Sequence, residues 1–127
     1  MNGRQIIQVA AFFGMLAVGI GAFGAHGLTK ILEETGRSET FETGVKYHFY
    51  HSLALFLIGI LATLKPAFKR LSGAAICMII GILIFSGSLY LLSLTGLTWL
   101  GAITPIGGLA FIVGWILIFL SASKSSK

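Results

Sequence analysis

Hydrophobic residues along this chain form four long runs separated by short polar stretches. The runs cover residues 5–28, 45–64, 71–94 and 100–122. Each is close to the roughly 20 apolar residues that an α-helix needs to cross about 30 Å of hydrocarbon. The first run is too long for the apolar part of a signal peptide, which is roughly 7–15 residues, so we interpret it as a retained helix. The pattern predicts an all-α, polytopic membrane protein, a single domain folded as a four-transmembrane-helix bundle.

The composition supports this prediction. The chain is 56% hydrophobic and 10% charged, with a mean hydropathy of +0.95, whereas soluble domains carry about a quarter charged residues. A chain of 127 residues buries a limited fraction of its surface, so a water-soluble fold would leave much apolar surface in water. We therefore expect the lipid bilayer to surround the protein. The single cysteine, Cys77, lies within an apolar run and excludes an intramolecular disulfide.

Basic residues are distributed unevenly between the two sides of such a bundle. One side has three, with all four glutamates, while the side that carries both termini has six: Arg4, Lys65, Lys69, Arg70, Lys124 and Lys127. The positive-inside rule then predicts a multi-pass protein of the cell (inner) membrane with both termini in the cytoplasm. Because these charges flank hydrophobic runs, the net charge of +5 does not indicate a nucleic-acid partner.

The stretch 29–44 is the one substantial polar loop. Its apolar residues are spaced to form one face while Lys30, Glu33 and Glu34 face water, so we expect it to lie on the outer membrane surface. Ser38 is a candidate N-cap, followed by acidic residues that the helix dipole favours. The second helix is therefore expected to begin before the lipid.

Small residues recur every three or four positions in three of the predicted helices. In lipid, such stripes let helix backbones approach and gain dispersion contacts. They predict a compact bundle, with a stripe available for a second copy of the chain or another membrane protein. The predicted packing positions are Gly14, Ala17, Gly21, Gly24, Gly73, Gly81, Gly107 and Gly114. The G-x-G-x-x-G spacing at Gly19 falls inside one apolar run, without the strand that a dinucleotide site requires, so helix packing explains it.

Three histidines fall near the outer ends of the first two predicted helices. His26 ends the first, while His48 and His51 open the second. Imidazoles that meet there could hold zinc, copper or a haem iron. The alternative is that each histidine is an interfacial group or a hydrogen-bond partner between helices, with Tyr47 and Tyr50 in an aromatic belt.

Hydroxyl groups follow the outer half of the third helix and the start of the fourth. They either line a small polar cavity or return hydrogen bonds to their own and neighbouring helices. No acidic residue lies inside an apolar run, so proton-coupled export through an embedded carboxylate is disfavoured. The candidate polar cluster consists of His26, Tyr47, His51, Ser86, Tyr90 and Thr104.

Four segments carry a resemblance to a known family. They are Gly21-Ala-Phe-Gly-Ala-His-Gly-Leu28, Thr43-Gly-Val-Lys-Tyr47 with His51 and Leu53-Ala-Leu55, Ser86-Gly-Ser-Leu-Tyr90, and Thr104-Pro-Ile-Gly-Gly108. In that order they resemble the domain-of-unknown-function 423 family of small bacterial membrane proteins, related to transmembrane protein 256 of animals. His48 departs from the family pattern, which often has glutamine there. The resemblance thus favours His26 and His51 over a three-histidine site, and it implies no activity.

These observations favour a non-enzymatic membrane protein without a cofactor, whose outward-facing polar cluster binds a small ligand, a lipid or a partner. Two alternatives stay open at this point. One is a metal- or haem-handling protein that uses His26 and His51 as ligands. The other is a small transporter or channel.

Overall fold

A computed structural model describes residues 1–123, which contain helices and turns and no strand. The third apolar run forms two helical segments that continue into one another. In chain order the helices are α1 (Gly3–His26), α2 (Thr29–Thr35), α3 (Ser38–Leu64), α4 (Leu71–Gly81), α5 (Gly87–Thr95) and α6 (Thr104–Ser123).

Four helices are long and apolar enough to cross a membrane: Gly3–His26, Ser38–Leu64, Leu71–Thr95 and Thr98–Ser123. The structure thereby confirms the all-helical class and the four candidate spans. Helix α3 begins at Ser38, well before the apolar run that starts at residue 45. Ser38 is the first helical residue and not the cap, because Arg37 holds the cap position and its side chain makes no capping bond.

The third span, Leu71–Thr95, contains one π turn. Residues Ile82–Ser86 form this turn between α4 and α5, without a break in the helical path. Single π turns of this kind are frequent at functional positions in helices. Here the turn lies against α6, next to Gly107.

Helix α3 and the third span form the centre of the bundle, and α1 and α6 flank it. Helix α1 packs almost entirely against α3, while α6 packs against α4 and the π turn. The innermost apolar side chains, Ile6, Leu55, Ile58 and Met78, have at most 1% of their surface exposed. Because α1 makes its extensive contacts with α3, the flank between α1 and α5 is more open than the rest of the bundle.

Glycines allow α6 to approach the third span closely. A Cβ atom at Gly107 would overlap the backbone of Phe85, and one at Gly81 would overlap the ring of Phe111. At Gly114 a Cβ would lie 3.0 Å from the methionine side chain of α4. The approach of α6 to the third span through small residues, predicted from the stripes, therefore brings Gly107 against backbone atoms at the π turn.

On α1 the stripe meets α3 only in part. A Cβ at Gly24 would overlap the ring of Phe41, a Cβ at Gly21 would lie 3.1 Å from a valine of α3, and Ala17 is buried. The sequence predicts Gly14 as a packing position, and this prediction is wrong, because a Cβ there would meet no atom within 4 Å. The spacing of small residues identified the stripe but not which of its members face a neighbour.

Contacts between elements show that the two ends of the bundle differ. At one end the N-terminal ammonium donates to Ser72 at 2.8 Å, and the Ser121 hydroxyl donates to the Lys69 carbonyl. This basic end holds the described cations Arg4, Lys65, Lys69 and Arg70, whereas Lys124 and Lys127 lie outside the described residues. At the opposite end, α2 is held by buried Leu32 and by the Thr35 hydroxyl, which donates to the Ser93 carbonyl at 2.8 Å.

Candidate functional site

His51 links α3 to α6 through both ring nitrogens. Its Nδ1 lies 2.7 Å from the Tyr47 carbonyl, which can only accept, so Nδ1 carries the proton. Its Nε2 then accepts from the Trp115 indole N–H at 3.2 Å, and the ring stacks on Phe111 with centroids 3.5 Å apart. These bonds define one neutral tautomer and leave no free lone pair for a metal.

His48 faces a different neighbour. It is 3% exposed, its Nδ1 is 2.7 Å from the Tyr90 hydroxyl, and its ring meets Phe13 of α1 edge-on. Its Nε2 has no hydrogen-bond partner among the described residues. Sequence reasoning discounted His48, yet this residue, and not His26, joins a tyrosine inside the bundle. A glutamine at the same position could also hydrogen-bond a tyrosine hydroxyl.

His26 and His51 are not brought together, which corrects the pairing expected from sequence. His26 is exposed at the end of α1. The contact between Gly24 and Phe41 aligns that end with the beginning of α3. His51 lies ten residues beyond Phe41, about 15 Å further along the helix axis at 1.5 Å per residue. Among residues 1–123, no group of three or more His, Cys, Asp or Glu side chains could hold a metal ion.

The hydroxyls of the third span form separate links between helices. The Ser86 hydroxyl donates to the Gly44 carbonyl of α3 at 2.7 Å, and Ser88 and Thr104 share a hydrogen bond of 2.6 Å between the third span and α6. A Cβ at Gly44 would lie 3.0 Å from the ring of Tyr90, so this glycine permits the approach. In the sequence Gly44 lies at the end of the polar stretch 29–44, which gives no sign of this packing role.

Tyr47 is the last member of the predicted cluster, and its contacts do not connect the hydrogen bonds described above into one cavity. Its ring is 39% exposed, and it packs on Phe85 with centroids 4.6 Å apart and on His51 at 5.9 Å. The predicted cluster is thus divided: the His51 and Tyr90 contacts face different helices, and His26 lies apart from both. Apart from His26, the members of the predicted cluster make contacts between helices.

Two cavities lie beside the expected cluster, at the end of the bundle that contains α2. The first, called here the polar chamber, has a volume of about 460 Å³ and lies between α1, α2 and α3. It contains two carboxylates, one ammonium group and two hydroxyls. Its lining residues are Gly21, Gly24, Ala25, Thr29, Leu32, Glu33, Ser38, Phe41, Glu42, Val45 and Lys46.

The second cavity, called here the apolar groove, lies on the open flank between α1 and α5 and has a volume of about 550 Å³. Its one polar side chain is Tyr90, whose hydroxyl is hydrogen-bonded to His48. The groove follows α1 from Met15 to Phe23, about 12 Å along the helix axis. Its lining residues are Met15, Leu16, Gly19, Ile20, Phe23, Leu28, Phe41, Tyr90 and Leu94.

Phe41 belongs to the walls of both cavities. The ring contacts Tyr90, with centroids 5.4 Å apart, and only 4% of it is exposed. Phe41 is therefore a wall that the polar chamber and the apolar groove share. Both volumes fall in the range of small-molecule sites, about 300–1,000 Å³.

Comparison with known proteins identifies one family and relatives that share one description, UPF0382 membrane protein. A family model described as "Protein of unknown function (DUF423)" matches residues 20–108. The UPF0382 membrane protein YwdK of Bacillus subtilis is 47% identical over 95% of this chain and 98% of its own length. A UPF0382 membrane protein of Haemophilus influenzae is 40% identical over 98% of each chain. No solved structure matches the chain.

Proposed function

The chain belongs to the DUF423 family of proteins of unknown function, and from that premise we propose that it is a non-enzymatic protein that binds a membrane lipid. The lipid headgroup occupies the polar chamber and an acyl chain occupies the apolar groove. This proposal keeps the ligand-binding role expected from sequence but moves it away from the histidines.

One observation carries the proposal: a charged cavity and an apolar cavity share the wall at Phe41. A phospholipid has the same two parts in the same order, a charged headgroup joined to a hydrocarbon chain. Pockets that combine apolar walls with a few convergent polar groups are the usual form of a binding site. The position of the chamber at an end of the spans, with the groove running along α1, is that expected for a lipid in one leaflet.

The histidines support a binding protein more than the alternatives. Both nitrogens of His51 are engaged, and His48 is hydrogen-bonded to Tyr90. These contacts disfavour a metal or haem site on His51. The hydroxyls of Ser86 and Ser88 are likewise committed to helix contacts, which gives a polar transport path through the bundle no support.

We further propose that both termini lie in the cytoplasm. The described cations of the basic end lie together with the N-terminus and the end of α6, while the chamber end carries the four glutamates. By the positive-inside rule the basic end is cytoplasmic. The polar chamber then opens on the outer side of the cell membrane, toward the outer leaflet.

The test uses two glycines of α1 that differ in one respect. A Cβ at either Gly19 or Gly14 would meet no atom within 4 Å, but only Gly19 lines the apolar groove. Replacing Gly19 with Leu puts a side chain into the groove, while Gly14→Leu is the matched control. Each variant is purified in mild detergent, and bound lipid per protein is measured by mass spectrometry.

We expect wild-type protein and Gly14→Leu to retain stoichiometric lipid and Gly19→Leu to lose most of it. Both substitutions change helix propensity equally, so a difference in bound lipid between the two variants is due to the side chain that occupies the groove. Equal lipid content in the two variants would overturn the proposal, whether both retained lipid or both lost it.

A further inference from the structure

We infer that the polar chamber selects a zwitterionic lipid whose headgroup ends in a primary amine, of the phosphoethanolamine type. This inference rests on the proposed lipid binding and identifies the class of headgroup. It follows from the order of charges along α3 and from the physical limits on selection by the groove.

The groove can contribute little selectivity. An acyl chain that leaves the bilayer for the apolar groove passes from one hydrocarbon environment to another, so the hydrophobic effect does not favour the transfer. Dispersion contacts with the groove walls differ little between lipids that carry the same chains. Discrimination between lipids must therefore come from the headgroup, and hence from the polar chamber.

The chamber contains charges of both signs. Glu33 of α2 and Glu42 and Lys46 of α3 all line it, and all three residues are exposed. Carboxylates accept hydrogen bonds from an ammonium group, and the lysine ammonium donates to a phosphate. A headgroup with both an ammonium and a phosphate satisfies both kinds of charge at once.

The charges also follow the order found in such a headgroup. Ser38, Glu42 and Lys46 lie on successive turns of one face of α3, so Lys46 is about 6 Å nearer the membrane centre than Glu42. In a phosphoethanolamine lipid the ammonium is the outermost group, and the phosphate is one ethylene bridge further in, followed by glycerol and the acyl chains. The ammonium then meets the glutamates and the phosphate meets Lys46, while the acyl chains occupy the groove on the other side of Phe41.

Other common headgroups fit less well. A quaternary choline nitrogen has no N–H and cannot donate to Glu33 and Glu42. An anionic glycerol headgroup brings its phosphate charge to a cavity with two carboxylates and one ammonium, without a cation for those carboxylates. The chamber therefore ranks primary-amine lipids above choline lipids and anionic lipids.

The test is a competition between lipids with identical acyl chains. The purified full-length chain in mild detergent is exposed to equal amounts of phosphatidylethanolamine, phosphatidylcholine and phosphatidylglycerol, and bound lipid is quantified by mass spectrometry. Exposed ion pairs each contribute a factor of a few in affinity, so we expect about fivefold enrichment of the ethanolamine lipid. Glu33→Gln with Glu42→Gln should abolish the enrichment while total lipid content remains.

Glu34→Gln with Glu39→Gln is the matched control. It removes the same charge from the same two helices, but neither residue lines the chamber, so the enrichment should persist. Equal binding of all three lipids by the wild type, or equal loss in both double variants, would overturn the headgroup inference. Either result leaves the proposed function standing provided that Gly19→Leu still removes lipid, so the two failures can be distinguished.

Discussion

The close backbone contact between α6 and the third span at Gly107 can be tested with the smallest change in side chain. Gly107 and Gly108 are neighbours at the start of α6. A Cβ at Gly107 would lie 2.8 Å from both Cα and Cβ of Phe85, whereas the nearest atom to a Cβ at Gly108 is the Phe85 Cδ2, at 3.8 Å. Comparison of Gly107→Ala with Gly108→Ala therefore isolates the effect of the close backbone contact, because the other effects of a glycine-to-alanine change are common to both.

The expected magnitude follows from these distances. Carbon atoms in favourable contact are about 3.5–4.0 Å apart, so Gly107→Ala must move the π turn from α6 by roughly 1 Å. Overpacking of this kind costs about 1–3 kcal/mol. Both substitutions also gain up to about 1 kcal/mol in helix propensity, and that gain cancels in the comparison. We expect Gly107→Ala to have a free energy of unfolding about 1–3 kcal/mol below that of Gly108→Ala.

Thermal unfolding in one detergent, followed by circular dichroism and by loss of monodisperse protein in size-exclusion chromatography, measures the difference. Gly108→Ala should unfold at or slightly above the wild-type temperature, and Gly107→Ala clearly below it. If the two variants unfold together, then the backbones of the π turn and α6 do not meet as described, and the account of helix packing fails.

Two further predictions concern the histidine link and the topology. Trp115→Phe removes the donor to His51 Nε2 and should lower the free energy of unfolding by about 0.6–1.7 kcal/mol, the range found for hydrogen bonds within membrane proteins. The control is Trp99→Phe, at a largely exposed tryptophan of the turn before α6, which should change that free energy little. Equal effects of the two substitutions would contradict the role of the hydrogen bond. For the topology, a reporter enzyme that works only in the cytoplasm should show activity when it is fused after Lys127. Activity of a reporter that works only outside the cytoplasm, fused at the same position, would refute the proposed orientation.

The sequence predicts the four spans well because burial in lipid requires long uninterrupted apolar runs, and such runs are directly visible. It predicts the position of His51 poorly for a related reason. The second apolar run begins at residue 45, which places His51 close to a helix end, whereas α3 begins at Ser38. Hydropathy reports where the chain enters hydrocarbon and not where its helix begins. Ser38 also indicates a helix that begins before the lipid, but counting His51 from the apolar run at residue 45 places it seven residues, about 10 Å, too close to the end of the helix.

The candidate binding site depends on tertiary contacts that no local pattern contains. In the sequence, Glu33 and Glu42 are surface charges of the polar stretch 29–44, and Lys46 follows that stretch at the start of the second apolar run. They line one cavity only because α2 folds back onto α5 through Thr35 and Ser93. Similarly, Gly14 and Gly19 look equivalent to the packing glycines of the same helix, and periodicity does not reveal which face meets a neighbour.

The π turn at Ile82–Ser86 has a consequence for how changes in chain length act on this protein. A π turn accommodates one residue more than an α-helical turn, so everything beyond it is rotated by about 100° relative to an uninterrupted helix. That rotation sets the direction in which Tyr90 points toward His48, although no residue of the turn lines the groove. Deleting one residue there would change no side chain of the groove wall, yet it would restore an uninterrupted α-helix and rotate α5 by about 100° from its present orientation. The geometry of the groove is therefore encoded in the number of residues between Gly81 and Gly87 as well as in their identities.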